Sequence, residues 1–188
     1  MEILRTFDEQ YHGVYLAHFV DCDFYKTPAH YETELDKIQD ELQDPFYVRK
    51  IISTRDSGWK KGDYKHISLN KLVLQVLNEA GDLFDDISKI IELNPTEKIL
   101  EYLLDFKPLS KKELLNNPSK LKYFTYDRGS LLRIYGIRVG KEAVIITGAG
   151  IKLADKMQDS VHLMVEMQKM NYLINWLQEN NITDCEQF

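Results

Sequence analysis

The sequence predicts an α+β fold: a small twisted antiparallel sheet, made of one N-terminal strand and a C-terminal β meander, packed on helices with a helical block inserted between the two. Three observations predict it. Residues 14–21 alternate side chains with period two, residues 27–106 repeat apolar side chains at helical spacing, and residues 121–148 form three short runs separated by tight turns. A chain of 188 residues is short of the length at which cores divide, so one domain spanning 1–188 is expected. Its helical block covers about 27–106, and a basic meander with a terminal helix covers about 107–181.

Val14, Leu16, His18 and Val20 alternate with Tyr15, Ala17, Phe19 and Asp21, which marks a strand and puts His18 on its apolar face as a satisfied core residue. Thr27 and Pro28 make an N-cap and first-turn pair, from which Tyr31, Leu35, Ile38 and Leu42 trace a narrow helical stripe. Residues 44–54 suit a second short helix, and Gly58, Trp59 and Gly62 mark the loop that follows. Ser68 caps the longest helical pattern, whose wide apolar face runs from Leu69 to Ile91. Asn94-Pro95 ends it, and Thr96 opens another short helix through Leu104.

Past a turn-rich linker the texture becomes β. Residues 121–126, 130–138 and 142–148 read as strands joined by turns at Asp127-Arg128-Gly129 and Val139-Gly140-Lys141, and short turns between consecutive strands require an antiparallel meander. Gly148-Ala149-Gly150 reads as a bend with little room for side chains, too short for a dinucleotide-binding fingerprint. Asp159 or Ser160 caps a last helix whose buried stripe is Leu163, Met164, Met167, Met170, Ile174 and Leu177.

Composition fits a folded globular protein, with 44% hydrophobic and 11% aromatic residues. The opening residues hold acids and no apolar run of signal-peptide length, and no stretch approaches the roughly 20 apolar residues of a membrane helix. A cytoplasmic protein with no membrane partner is expected. Cys22 and Cys185 belong to no metal or disulfide pattern, and His12, His18, His30, His66 and His162 lack ligand spacing, so neither a metal nor any other cofactor is expected. The net charge of −6 is unevenly spread. Residues 107–157 hold eleven Lys and Arg against four Asp and Glu, a local +7 that leaves −13 on the rest. Residues 78–105 hold eight acids against two lysines, which makes the helical block a poor surface for a polyanion.

Strand alternation sets Leu132, Ile134 and Gly136, with Arg138 at the end, on one side, and Arg133, Tyr135 and Ile137 on the other. If helices cover only one side of the sheet, Arg133 and Tyr135 share an open face near Tyr123 or Tyr126, and Lys152 and Lys156 reach it from the edge. Cations that pair with phosphates beside phenols that stack on bases suit RNA. Such groups also suit its cleavage, in which a ribose 2′-OH attacks its own 3′-phosphate while cations stabilise the growing charge. Arg133 and Lys152 are the candidates for phosphate stabilisation and Tyr135 for orienting or transferring a proton. Arg128, Arg138, Lys156 and Tyr126 are candidates for RNA binding. An Arg and a Tyr on a strand face also serve as ordinary cross-strand partners.

The run LLRIYGIRVGKEAVIITGAGIKLADKMQ, with the helix ending near NWLQENN, resembles the C-terminal core of RelE/HigB-type toxins. The matching residues are Arg133-Ile134-Tyr135, the turn at Gly140, Val144-Ile145-Ile146, Gly148 to Gly150 and Ile151-Lys152, within about 70 residues from Leu121 onward. The resemblance implies a RelE-like sheet packed on helices, and an endoribonuclease of a bacterial toxin–antitoxin pair that cleaves translated, ribosome-bound mRNA and is neutralised by a small antitoxin protein. The chain departs from that pattern in its inserted acidic helices, and in having Leu153 after Lys152 where HigB-like relatives commonly carry a second lysine. The alternative is a non-enzymatic module on the same fold, binding RNA or docking a protein on its acidic helices.

Overall fold

The computed structural model describes residues 2–5, 14–20, 22–54, 58–60, 63–92, 107–109, 117–123, 130–140 and 143–187. Their elements are β1 (Glu2–Arg5), β2 (Val14–His18), α1 (Glu34–Gln43), α2 (Pro45–Ser53), α3 (Leu69–Glu92), β3 (Lys107–Pro108), β4 (Ser119–Tyr123), β5 (Leu132–Val139), β6 (Ala143–Ile151) and α4 (Val161–Glu179). The fold is α+β. The strands form one sheet in the order β1-β2-β6-β5-β4-β3. No helix among the described residues is long and apolar enough to cross a membrane.

The meander β4-β5-β6 is antiparallel throughout, as its short turns require. The sheet as a whole is mixed, because β2 runs parallel to β6, with Val14, Tyr15 and Leu16 opposite Val144, Ile145 and Ile146. This corrects the wholly antiparallel sheet expected from the sequence. Strand periodicity marks a strand but carries no information about its neighbour's direction. β1, absent from the elements expected from the sequence, pairs antiparallel with β2 along the outer edge.

Both faces of the sheet are covered. On one, Leu132, Ile134, Ile146 and Ile151 pack with apolar residues of α1, α2 and α3. On the other, Tyr15, Ala17, Tyr135, Ile137 and Ile145 pack with Leu163, Met170, Leu173 and Leu177 of α4. Leu16 is only partly buried and His18 is half-buried, its Nδ1 2.6 Å from the Glu32 carbonyl, so the buried face of β2 is the Tyr15, Ala17 and Phe19 face.

Local chemistry sets the helix starts. Thr33 caps α1 in a capping box with Asp36, six residues later than Thr27 and Pro28 suggest. The Thr27 hydroxyl is engaged elsewhere, accepting from Phe19 N (3.0 Å) and donating to Glu34 (2.5 Å), so Tyr31 precedes the helix. Asp44 caps α2 with Pro45 in its first turn, and Ser68 accepts from Lys71 N at the start of α3. The short helix expected from Thr96 lies outside the described residues.

β6 continues through 148–150 to Ile151, where the sequence suggested a bend. The register slips there, Tyr135 facing Gly148 and Gly136 facing Ile146, so Thr147 is an extra residue in β6. The expectation of little room does hold: a Cβ at Gly148 would overlap the Glu166 carboxylate. β2 pairs with β6 only as far as Ile146, and at Gly148 Glu34 of α1 and Lys169 of α4 meet.

Candidate functional site: a cation-lined recess

α4 packs on β5 and β6. A single helix is about 10 Å across, roughly two strand spacings, so it leaves the neighbouring strand β4 uncovered. The gap is a recess of about 360 Å³ lined by Leu109, Lys120, Lys122, Arg133, Tyr135, Lys152, Asp155, Lys156, Met157, Gln158 and Met167. Five cations from β4, β5 and the chain after β6 thus line the recess, against one acid, Asp155, among the described lining residues.

Backbone geometry fixes each contributor. Lys122 faces Tyr135 in the β4-β5 register, and Lys120 lies two residues back on the same side. The Glu79 carboxylate of α3 accepts from Ser130 Oγ (2.9 Å), Leu131 N (2.6 Å) and Leu132 N (3.1 Å), holding the chain where β5 begins. The carbonyls of that turn point the other way. Those of Ser130 and Leu132 accept from Arg133 Nη1 at 2.8 and 2.6 Å, and that of Leu131 accepts from Lys152 N at 2.7 Å. Lys152 Nζ donates to the Ala154 carbonyl at 2.9 Å. His162 Nε2–H donates to the Ile151 carbonyl (2.8 Å) while its Nδ1 accepts from Ser160, tying the first turn of α4 to the residue before Lys152. Burial holds His162 below its usual pKa against the opposing hydrogen bond, so the ring is neutral.

The cations perturb one another. Burial, and then the Arg133 charge, lower Lys122. Lys152 is lowered by burial, then by Arg133, with Asp155 opposing and Lys122 adding. Arg133 is lowered by burial against the pull of Tyr135, Tyr64 and Glu79, and a guanidinium remains charged at any ordinary pH. Half-buried like charges held together by the backbone form a site that a phosphate stabilises.

Of the sequence candidates, Arg133, Tyr135, Lys152 and Lys156 line this one recess. The open face expected for them does not exist. Tyr135 is 1% exposed beneath α4, and only the edge of that face is accessible. Burial and then Glu166 push the Tyr135 phenol well above its usual pKa, so near neutral pH it stays protonated, cannot act as a base, and is a weaker acid than an ordinary tyrosine. Arg138 does not join the recess. It lies on the other face of β5, five residues and about 17 Å along the strand from Arg133, with its Nε buried and lacking a hydrogen-bond partner among the described residues. Arg128 and Tyr126 lie outside the described residues. Lys120 and Lys122 were missed, although their Lys-x-Lys spacing on a strand puts both ammonium groups on one face.

Comparison with protein-family models, curated proteins and solved structures finds no match to this chain.

A second charged cluster was also missed. Lys169 is 0% exposed in α4 and pairs with Glu34 (2.9 Å) and Glu166 (2.8 Å). Tyr25 and Thr27 donate to Glu34, and the Lys169 ammonium lies 4.7 Å from the Tyr25 ring centroid. Burial would raise Glu34, but Lys169, Lys37 and these hydrogen bonds outweigh it and hold it low. Burial pushes Glu166 up to about 7 because Lys169 only partly compensates. Glu166 and Lys169 thus occupy the inner face of α4, where the expected stripe had Met164, Met167 and Ile174, all half-buried.

Proposed function

We propose that this protein is a toxin-like ribonuclease of a toxin–antitoxin pair, cleaving mRNA at the cation-lined recess. What supports this is the gathering of Arg133, Lys152 and Tyr135, named from the sequence for RNA chemistry, around one cavity with Lys120, Lys122 and Lys156. A phosphodiester seated between Arg133 and Lys152 has its equatorial oxygens against two cations, which stabilise the charge of a pentacoordinate transition state. The 2′-oxygen bonds to phosphorus as its proton passes to solvent or a basic group. The bond from phosphorus to the 5′-oxygen breaks, and that oxygen takes a proton from an ammonium, leaving a 2′,3′-cyclic phosphate and a 5′-hydroxyl. Lys122 and Lys152, with their lowered pKa values, are suited to give that proton. The protein's own cations supply the charge, so the step requires no metal. A small antitoxin protein would neutralise the enzyme by covering the recess.

Burial of Tyr135 favours a second reading, an RNA-binding module without cleavage. One experiment separates the two. Wild type and the Arg133→Ala/Lys152→Ala double variant are induced in cells, and the purified proteins are incubated with free and ribosome-bound RNA in a chelator. Slowed growth and cyclic-phosphate ends with wild type alone are expected. RNA retained intact but bound indicates the binding module, and RNA neither bound nor cut rejects both.

A further inference from the structure

The two walls of the recess are chemically unlike. Its strand wall is charged: Lys122 stands opposite Tyr135 and Lys120 opposite Ile137 in the β4-β5 register, with Arg133 two residues before Tyr135 on the same side of β5. Its helix wall is apolar, formed by Met157, just before α4, and Met167 within α4. Gly148, the register partner of Tyr135, lies against Glu166 and Lys169, so Met167 stands level with Tyr135. Met157 is buried and Met167 half-buried, both packed with the core beneath α4, and each still lines the recess. The polar residues on that side, Asp155, Lys156 and Gln158, are exposed. At about 360 Å³ the recess is near the lower end of the roughly 300–1,000 Å³ typical of small-molecule sites, which suits one compact ligand and not a run of chain.

We infer that the recess seats a single unpaired nucleotide, its phosphate among Lys122, Arg133 and Lys152 and its base against Met157 and Met167. This rests on the RNA reading of the recess and adds what that reading lacks, a contact that distinguishes a nucleotide from any other polyanion. A bare polyanion in this space would set charge against thioethers, which cannot replace the water it loses. A wholly apolar ligand would leave the cations of the strand wall without a counter-charge. A nucleotide has an anionic end and a flat, largely apolar one, and so matches both walls at once. Methionine is unbranched and polarizable and packs against rings through its sulfur, so the helix wall favours a base without choosing among the four. A base held in a duplex stack cannot turn to that wall, which restricts the ligand to unpaired or extruded nucleotides.

The test compares two probes on the full chain carrying ¹³C-methyl methionine: 2′-deoxyadenosine 3′,5′-bisphosphate, which lacks the attacking hydroxyl, and inorganic pyrophosphate. The methyl signals of Met157 and Met167, assigned with Met157→Leu and Met167→Leu, should shift under the ring current of the bisphosphate and stay in place with pyrophosphate. Met164 and Met170, which do not line the recess, should move with neither. Met167→Ala should weaken the bisphosphate about five- to tenfold and leave pyrophosphate unchanged, whereas Lys122→Ala should weaken both. Bisphosphate that binds without moving the two signals, or an equal loss of both probes in Met167→Ala, would overturn the nucleotide seat and leave the recess as an anion site. Phosphotyrosine that moves the same signals at lower concentration would overturn it in favour of a phosphorylated peptide. Wild type that binds neither probe overturns the seat and the RNA reading together.

Discussion

Lys169 sits between Glu34 and Glu166 with little or no solvent access to any of the three side chains, whereas Lys122, Arg133 and Lys152 line a half-open recess on the same side of the sheet with Asp155 in its wall. In the sealed cluster opposite charges meet within 3 Å, and the Tyr25 and Thr27 hydroxyls occupy the remaining acceptor positions of Glu34. In the recess like charges depress one another, and the walls hold them there through backbone carbonyls. Dry charges must be matched within the chain, because an unmatched ion in a low-dielectric core costs several kcal/mol. Wet charges need no such match, and cations gathered in a fixed geometry at a solvent-reached edge are suited to an anion from outside. Burial separates the structural cluster from the candidate binding one more clearly than residue type does.

The sharpest way to break this contrast is to remove the central cation of the sealed cluster. Lys169→Met should cost about 3–5 kcal/mol in urea denaturation, because it strands two carboxylates in the core, and a loss below about 1 kcal/mol would mean the cluster is wetter than its burial indicates. Glu79→Ala comes next. It removes the acceptor of three hydrogen bonds and should cost about 1.5–3 kcal/mol, while weakening polyanion binding at the recess because the carbonyls that hold Arg133 lose their anchor.

The pH dependence sharpens the sealed side. Glu166 titrates at about 7 in the folded protein, above its ordinary range, so the folded state holds this proton more tightly than the unfolded chain does. Its contribution is fully present below the unfolded carboxyl pKa and is lost as pH rises through about 7. Wild type should therefore lose stability between pH 5 and 8 relative to Glu166→Gln, and parallel urea midpoints for the two proteins across that range would refute the assignment. The smallest effect belongs to the recess. Arg133→Ala/Lys152→Ala should leave stability within about 1 kcal/mol of wild type or raise it, since like-charge repulsion is relieved. The salt dependence of single-strand RNA binding should meanwhile fall by about 0.7 in slope for each phosphate that no longer meets a cation. Arg138→Ala, on the far face, should leave that slope unchanged.

What the residues determined by themselves is local. Period-two runs with turn residues between them defined the meander, and helical periodicity with Ser68 as its cap defined α3, because both signals arise from neighbours in sequence. Alternation likewise put Arg133 with Tyr135 and set Arg138 opposite them. The tertiary structure alone decided the parallel pairing of β2 with β6, the covering of the supposed open face by α4, the narrowing of that face to a recess at the β4 edge, and the approach of Glu34 to Lys169 across 135 positions of chain. Glu166 and Lys169 read as solvent-facing charges on an amphipathic helix until a partner from α1 arrives. The reason is that burial depends on which element packs over a side chain, and that is settled by contacts distant in sequence, to which a local pattern carries no reference.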